Sequence, residues 1–313
     1  MLDFKAKKLI ILLVLTIFRG VFMTYEEIQR ANRLIFDRLA IYLNANESFV
    51  TADMVRELSE SASISCDEAF SYLVCAALGL NTENDYERLV WQSYSPFMLH
   101  HLDESHFTSD AYYKAVRIGE KRKINEWELR VDKIAPYTLF VCDDPLTLPD
   151  GRIIPQIGYF DCDFSYLSVL QGNREWMTLM PNEIVTQRLP IKKARGRVCT
   201  YGLGLGYFAF MCAEKEDVES VTIVERDESV ITLFKELLLP CFSHKEKIEI
   251  VQADAFEFAE KEAPARNFDY IFADIWHDPS DGVDAYKRFK SLEHLCPDTS
   301  FDYWIEKTLL LYM

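Results

Sequence analysis

The chain has 313 residues, of which 49% are hydrophobic and 13% aromatic, enough for a sizeable core and two domains; this excludes a disordered chain. A formal net charge of −16 repels phosphate backbones, which argues against nucleic acid as a partner and favours a small or cationic substrate. Eight cysteines with no C-x-x-C pair, most of them inside apolar runs, read as reduced thiols of a cytoplasmic protein rather than a disulfide frame or a zinc site.

Lys5, Lys7 and Lys8 precede the apolar run Leu9 to Phe18. Residues 1–22 are therefore expected to be a leader or an over-extended start. The run is too short to span a bilayer, and no small-x-small cleavage pattern follows it. Met23, followed by the helix-start pattern Thr24-Tyr-Glu-Glu27, offers an alternative beginning, with a membrane signal or a docked helix as the other readings.

Residues 23–126 are expected to be a helical region. Ile28, Leu34, Ile35, Leu39 and Leu43 recur at helical spacing. A second helix should begin at Thr51, and a third at Ser65-Cys-Asp-Glu68, running through Phe70 and Val74 to a stop at Gly79. No basic recognition helix is visible, so the bundle reads as a scaffold or lid. His100, His101 and His106 lack a completing ligand pattern, and adjacent histidines point to different faces; no metal is expected there.

Residues 127–190 read as a β-hairpin region and linker. Short apolar runs occur at 128–134, 138–142 and 153–160, and Gln171-Gly-Asn173 separates two more. Pro181-Asn-Glu183 opens a short helix, and Pro190 to Gly196 should link to a final domain at 191–313.

That domain is organised around Val198-Cys-Thr-Tyr-Gly-Leu-Gly-Leu-Gly-Tyr-Phe-Ala209, a strand-like run that breaks into three glycines and re-enters an apolar helical pattern. Such a corner removes the side chains that would keep a ligand off the backbone, and the helix after it aims free N–H groups at the ligand. A glycine-rich turn with no ligand is the plainer reading. Val221-Thr-Ile-Val-Glu225 then ends in an acid about twenty positions beyond the last glycine, where a carboxylate can hold two ribose hydroxyls. Ile248 to Gln252 runs into Asp254, and Phe268 to Ala273 runs into Asp274. A nicotinamide loop would need Gly-x-Gly-x-x-Gly, and position 207 is Tyr.

The succession GLGLG, VERD, QADAF and FDYIFADIWHD, over residues 196–282, resembles the class I S-adenosylmethionine-dependent methyltransferases and their relatives, the polyamine (spermidine) synthases. The resemblance implies a Rossmann-like doubly wound α/β sheet at the C-terminus, preceded by the helical and β-hairpin region, with S-adenosylmethionine as cofactor. Its implied cofactor-binding set is Gly202, Leu203, Gly204, Gly206, Glu225, Arg226, Asp254, Ala255 and Asp274. The glycines would approach the methionine part, Glu225 the ribose, and Asp254 with the Ala255 amide the adenine edge. Thr200 stands where most methyltransferases carry an acid, and Leu205 and Tyr207 where polyamine synthases carry Asp and Gly. Val224 to Ile231 and Asp278-Pro279 are closer to the synthases. Three more strands would follow the fourth, and residues 275–313 leave no room for all of them; either the sheet is short or earlier β segments complete it.

Asp274 and His277 follow the fourth strand, where ligands of open α/β sheets bind, and are the candidate catalytic residues. Either could take a proton from an acceptor; Asp274 could instead orient the cofactor, and His277 could be a solvent-facing loop imidazole. Asp278 and Asp281 read as turn formers rather than metal ligands. The expected function is methyl transfer to a small-molecule acceptor, with aminopropyl transfer or a non-catalytic adenosyl-nucleotide-binding protein as alternatives. No stable membrane span is expected.

Overall fold

The computed structural model describes residues 23–45, 49–117, 121–172 and 174–313, so the expectations for residues 1–22 lie outside the described residues. Helices α1 (Tyr25–Leu43), α2 (Ala52–Ala62), α3 (Cys66–Ala77) and α4 (Asp85–Met98) come first. The first three begin where their capping side chains foretell. Thr24 accepts from the Glu27 N–H while the Glu27 carboxylate accepts from the Thr24 N–H, Ser65 and Glu68 repeat the arrangement, and Thr51 accepts from the Met54 N–H.

Seven strands follow: β1 (Leu99–His101), β2 (Arg122–Ile124), β3 (Trp127–Ile134), β4 (Phe140–Thr147), β5 (Ile153–Tyr159), β6 (Phe164–Gln171) and β7 (Arg174–Thr178). They make two sheets, β1-β5-β4 and the antiparallel β2-β3-β6-β7. Two of them, β1 and β2, lie within residues expected to be helical. Three-residue strands carry too little apolar alternation to be read from sequence; they exist because β5 and β3 offer them an edge.

Helix α5 (Pro181–Lys193) leads into β8 (Gly196–Tyr201), α6 (Tyr207–Ala213), β9 (Val218–Glu225), α7 (Glu228–Leu233), β10 (Ile248–Gln252), α8 (Ala255–Lys261), β11 (Tyr270–Ala273), α9 (Pro279–Leu292), β12 (Ser300–Tyr303) and α10 (Glu306–Leu310). The last five strands are all parallel, in the order β10-β9-β8-β11-β12. This is the Rossmann-like doubly wound arrangement expected from the sequence. Buried on both faces, β8, β9 and β11 read as nearly continuous apolar runs.

Three expectations change. The linker at Pro190 is instead the last turn of α5, where the proline forgoes the hydrogen bond that an N–H would give the Thr186 carbonyl, while the Pro190 carbonyl still accepts from the Ala194 N–H. Helix α9 starts at Pro279, because Asp278 and Asp281, expected as turn formers, make its capping box. The sheet gains a fifth strand, β12, and the earlier β segments form sheets of their own, so they do not complete it.

Two hydrophobic cores result. One gathers α1 to α4 against β5, with Ile35, Phe70, Val74 and Tyr94 around Ile154 and Ile157. The other joins the β3-β6 hairpin sheet to the parallel sheet, from Trp127 and Val169 to Phe272 and Leu309. The hairpin therefore packs over the parallel sheet, and the cleft lies between them. All eight cysteines are free thiols, and Cys75, Cys142, Cys199 and Cys212 are buried. Among the described residues no helix is long and apolar enough to cross a membrane, and no group of three or more His, Cys, Asp or Glu side chains could hold a metal ion.

Candidate functional site

Strands β8 and β11 are neighbours at the point where the strand order reverses, the place at the carboxyl ends of an open α/β sheet where a ligand crevice forms. A cleft of about 430 Å³ occupies it. Gly202, Leu203, Gly204, Glu225, Arg226, Asp254, Ala255, Asp274 and His277 all line this cleft. Gly206 does not.

The three glycines have different reasons to be glycine. All have positive φ, +95°, +54° and +76° for Gly202, Gly204 and Gly206. A Cβ on Gly202 would collide with the Asp274 carbonyl oxygen, so this glycine lets the ends of β8 and β11 close on each other. A Cβ on Gly206 would collide with the Phe234 ring, so this one seats α6 on the core. Only Gly204 faces open space, with the Met177 sulfur 3.9 Å from the Cβ position as its sole neighbour. The N–H groups of Gly204 and Leu205 have no partner among the described residues. A bare backbone corner with two unused donors accepts a ligand without a steric cost.

Glu225 ends β9 and turns towards that corner. Its Oε2 accepts from the Leu203 N–H at 3.3 Å, and its Oε1 from the N–H groups of Arg226 and Asp227 at 2.7 and 2.9 Å. The carboxylate is thus held beside the glycine loop. Asp254 caps α8, its Oδ1 accepting from the Phe256 and Glu257 N–H groups at 2.9 and 3.0 Å. The loop is also braced from behind, where the buried Tyr112 hydroxyl donates to the Leu205 carbonyl and Tyr207 donates to Asp110 at 3.0 Å.

Asp274 sits on the opposite wall. Burial pushes its carboxyl from the ordinary 3.8 up to about 7. Its Oδ2 accepts from the Gln187 Nε2 at 3.3 Å. On the same face of α5 stands Glu183, whose carboxyl is raised well above its ordinary range, first by burial and then by the charge of Asp274; hydrogen bonding from Gln187 works against both. Two carboxyls in one cleft cannot both ionise cheaply, so the charge on one disfavours the charge on the other. His277 is exposed, with its Nδ1 2.9 Å from Asp281 Oδ2 and its ring edge-on to Trp176 at 4.7 Å. Trp304 donates from Nε1 to the Thr186 hydroxyl at 3.0 Å and also lines the cleft.

Sequence reasoning missed Glu183, Gln187, Trp176, Met177 and Trp304. A signal existed for two of them. Glu183 and Gln187 are spaced i, i+4 at a helix start marked by Pro181, which puts a carboxylate and an amide on one face. Nothing in the sequence says that this face meets Asp274.

No family model matches the chain, and no curated protein matches it in sequence. Among solved structures it is similar to a spermidine synthase from Thermotoga maritima, at 16% identity and TM-score 0.34 over 58% of this chain and 54% of that one. It is also similar to a spermidine synthase in complex with the transition-state analogue AdoDATO, at 17% identity and TM-score 0.36 over 57% and 54%. A third is the methyltransferase domain of bacterial CtHen1-C, at 16% identity and TM-score 0.26 over 37% and 59%. The chain spans little more than half the length of these structures, and the likeness is one of fold.

Proposed function

We propose that the chain is a cytoplasmic S-adenosylmethionine-dependent methyltransferase acting on a small-molecule acceptor. The observation that supports it most is the open corner at Gly204, with Glu225 and Asp254 on one side of the same cleft and Asp274 on the other. In this reading the loop amides and Glu225 hold the adenosyl group, and the Ala255 amide with Asp254 meets the adenine edge. The β7 side chains Trp176 and Met177 roof the site and keep water out.

When bound, the cofactor supplies a methyl group on a sulfonium, a leaving group already activated by its charge, so alignment does most of the work. Asp274 is the group placed to hold a proton from the acceptor, since a carboxyl near 7 exchanges protons readily at neutral pH. Calorimetric titration with S-adenosylmethionine tests the proposal. Glu225→Ala should weaken binding about tenfold to a hundredfold, the loss of hydrogen bonds to a charged group. Equal affinity in the variant would remove the ribose assignment. No binding of any adenosyl nucleotide at millimolar concentration would favour a protein that keeps the fold without catalysis.

Aminopropyl transfer is the second reading, favoured by the carboxyl pair Glu183 and Asp274, which suits a cationic amine. Side-by-side titration with S-adenosylmethionine and its decarboxylated form decides between them.

A further inference from the structure

Asp281 caps α9, and it also holds a side chain of the cleft. Its Oδ1 accepts from the N–H groups of His277 and Asp278, both at 3.1 Å, and its Oδ2 meets the His277 Nδ1 at 2.9 Å. Two backbone donors thus pin the carboxylate where it meets the ring. Burial raises the Asp281 carboxyl, but the hydrogen bonds from the His277 ring and from the N–H groups of Asp278 and His277 outweigh it and hold the group below its ordinary range.

An ionised carboxylate can only accept, so the proton of a neutral His277 has to sit on Nδ1. That leaves the lone pair on Nε2 as the acceptor of the ring, and no side chain among the described residues takes it. The ring is braced from its other side by Trp176 of β7, with centroids 4.7 Å apart and planes at 80°. His277 and Trp176 both line the cleft that Asp274 lines from within.

We infer that Asp281 is a positioning residue of this cleft: it fixes His277 as the Nδ1–H tautomer, and the Nε2 so exposed accepts a hydrogen bond from an O–H or N–H group of the acceptor molecule. This rests on the transferase reading of the cleft and adds to it a contact that selects the acceptor. A molecule with no donor to spare beyond the reacting group leaves Nε2 unused, whereas a diol or an amino alcohol fills it.

The test is nitrogen-15 NMR of the histidines in the full chain at pH 8, with and without saturating S-adenosylmethionine, His277 being assigned by its loss in His277→Gln. The neutral ring should carry its proton on Nδ1 and show a bare Nε2, and Asp281→Asn should lower the share of that tautomer about tenfold. Butanediol, as a probe, should move the Nε2 resonance and bind about tenfold more tightly than dimethoxybutane, the same chain without donors, and Asp281→Asn should narrow that gap. An Nε2–H ring in the unaltered protein overturns the tautomer assignment, and an Nδ1–H ring left unchanged by Asp281→Asn overturns the positioning role. Equal binding of the two probes, or an Nε2 resonance that butanediol leaves in place, overturns the contact with the acceptor molecule. The unaltered protein decides the tautomer and the probes by itself, so a variant that fails to fold does not decide the matter. If the nucleotide does not bind but the tautomer and the probe difference hold, the transferase reading falls and this site stands; nucleotide binding with an Nε2–H ring gives the reverse.

Discussion

Replacing Asp274 by Asn should make the protein more stable at pH 8 while abolishing transfer. Raising a carboxyl from its ordinary 3.8 to about 7 penalises its ionised form by about 4 kcal/mol at most, and Asn removes that charge while keeping the shape and a hydrogen bond to Gln187. The sign follows from proton counting. Between pH 4 and 7 the folded protein holds a proton that the unfolded chain has released, so stability falls as pH rises through this window. Below pH 4 both states are protonated, and the Asn variant should gain nothing. Urea unfolding of the two proteins at pH 4.5 and pH 8 measures the difference. The variant should be about 2–4 kcal/mol more stable at pH 8 and nearly equal at pH 4.5. A variant destabilised equally at both pH values would refute the account, because it would mean that Asp274 is held by favourable contacts rather than confined at a cost.

The glycines should separate by role. Gly202→Ala places a methyl against the Asp274 carbonyl oxygen and should lower the urea midpoint sharply or prevent folding, whereas Gly204→Ala should fold with a loss of about 1 kcal/mol from its positive φ and lose nucleotide binding by calorimetry. Tyr112→Phe leaves the Leu205 carbonyl buried without its donor; a loss of about 1–3 kcal/mol in urea unfolding is expected, with faster hydrogen exchange at residues 203–206. Phe234→Ala, in the core against Gly206, should cost about 3–5 kcal/mol by the same unfolding assay, and a loss under 1 kcal/mol would show that this contact does not seat the loop.

The parallel sheet was legible because each of its central strands is buried on both faces, so Val198 to Tyr201, Val221 to Val224 and Tyr270 to Ala273 show as nearly continuous apolar runs, interrupted only by Thr200 and Thr222, that end in Gly or an acid. Helix starts were legible at Thr24, Thr51 and Ser65, because a cap is a contact between residues three apart. The fifth strand was not. Ser300 to Tyr303 carries Asp302 and only four residues, and it is a strand because β11 pairs with it.

The amino-acid order alone therefore determined the strand ends and the residues placed on them, from Gly202 to Asp274, since these depend on local periodicity and backbone sterics. Folding in three dimensions decided what each residue faces. It turned two of the three glycines to the protein's own Asp274 and Phe234, left Gly204 to the cleft, and brought Glu183 and Gln187 from α5 against Asp274 at the carboxyl end of β11. The physical reason is that burial and the repulsion of two carboxyls are through-space quantities, and no spacing along the chain encodes which side chains share the same dry volume.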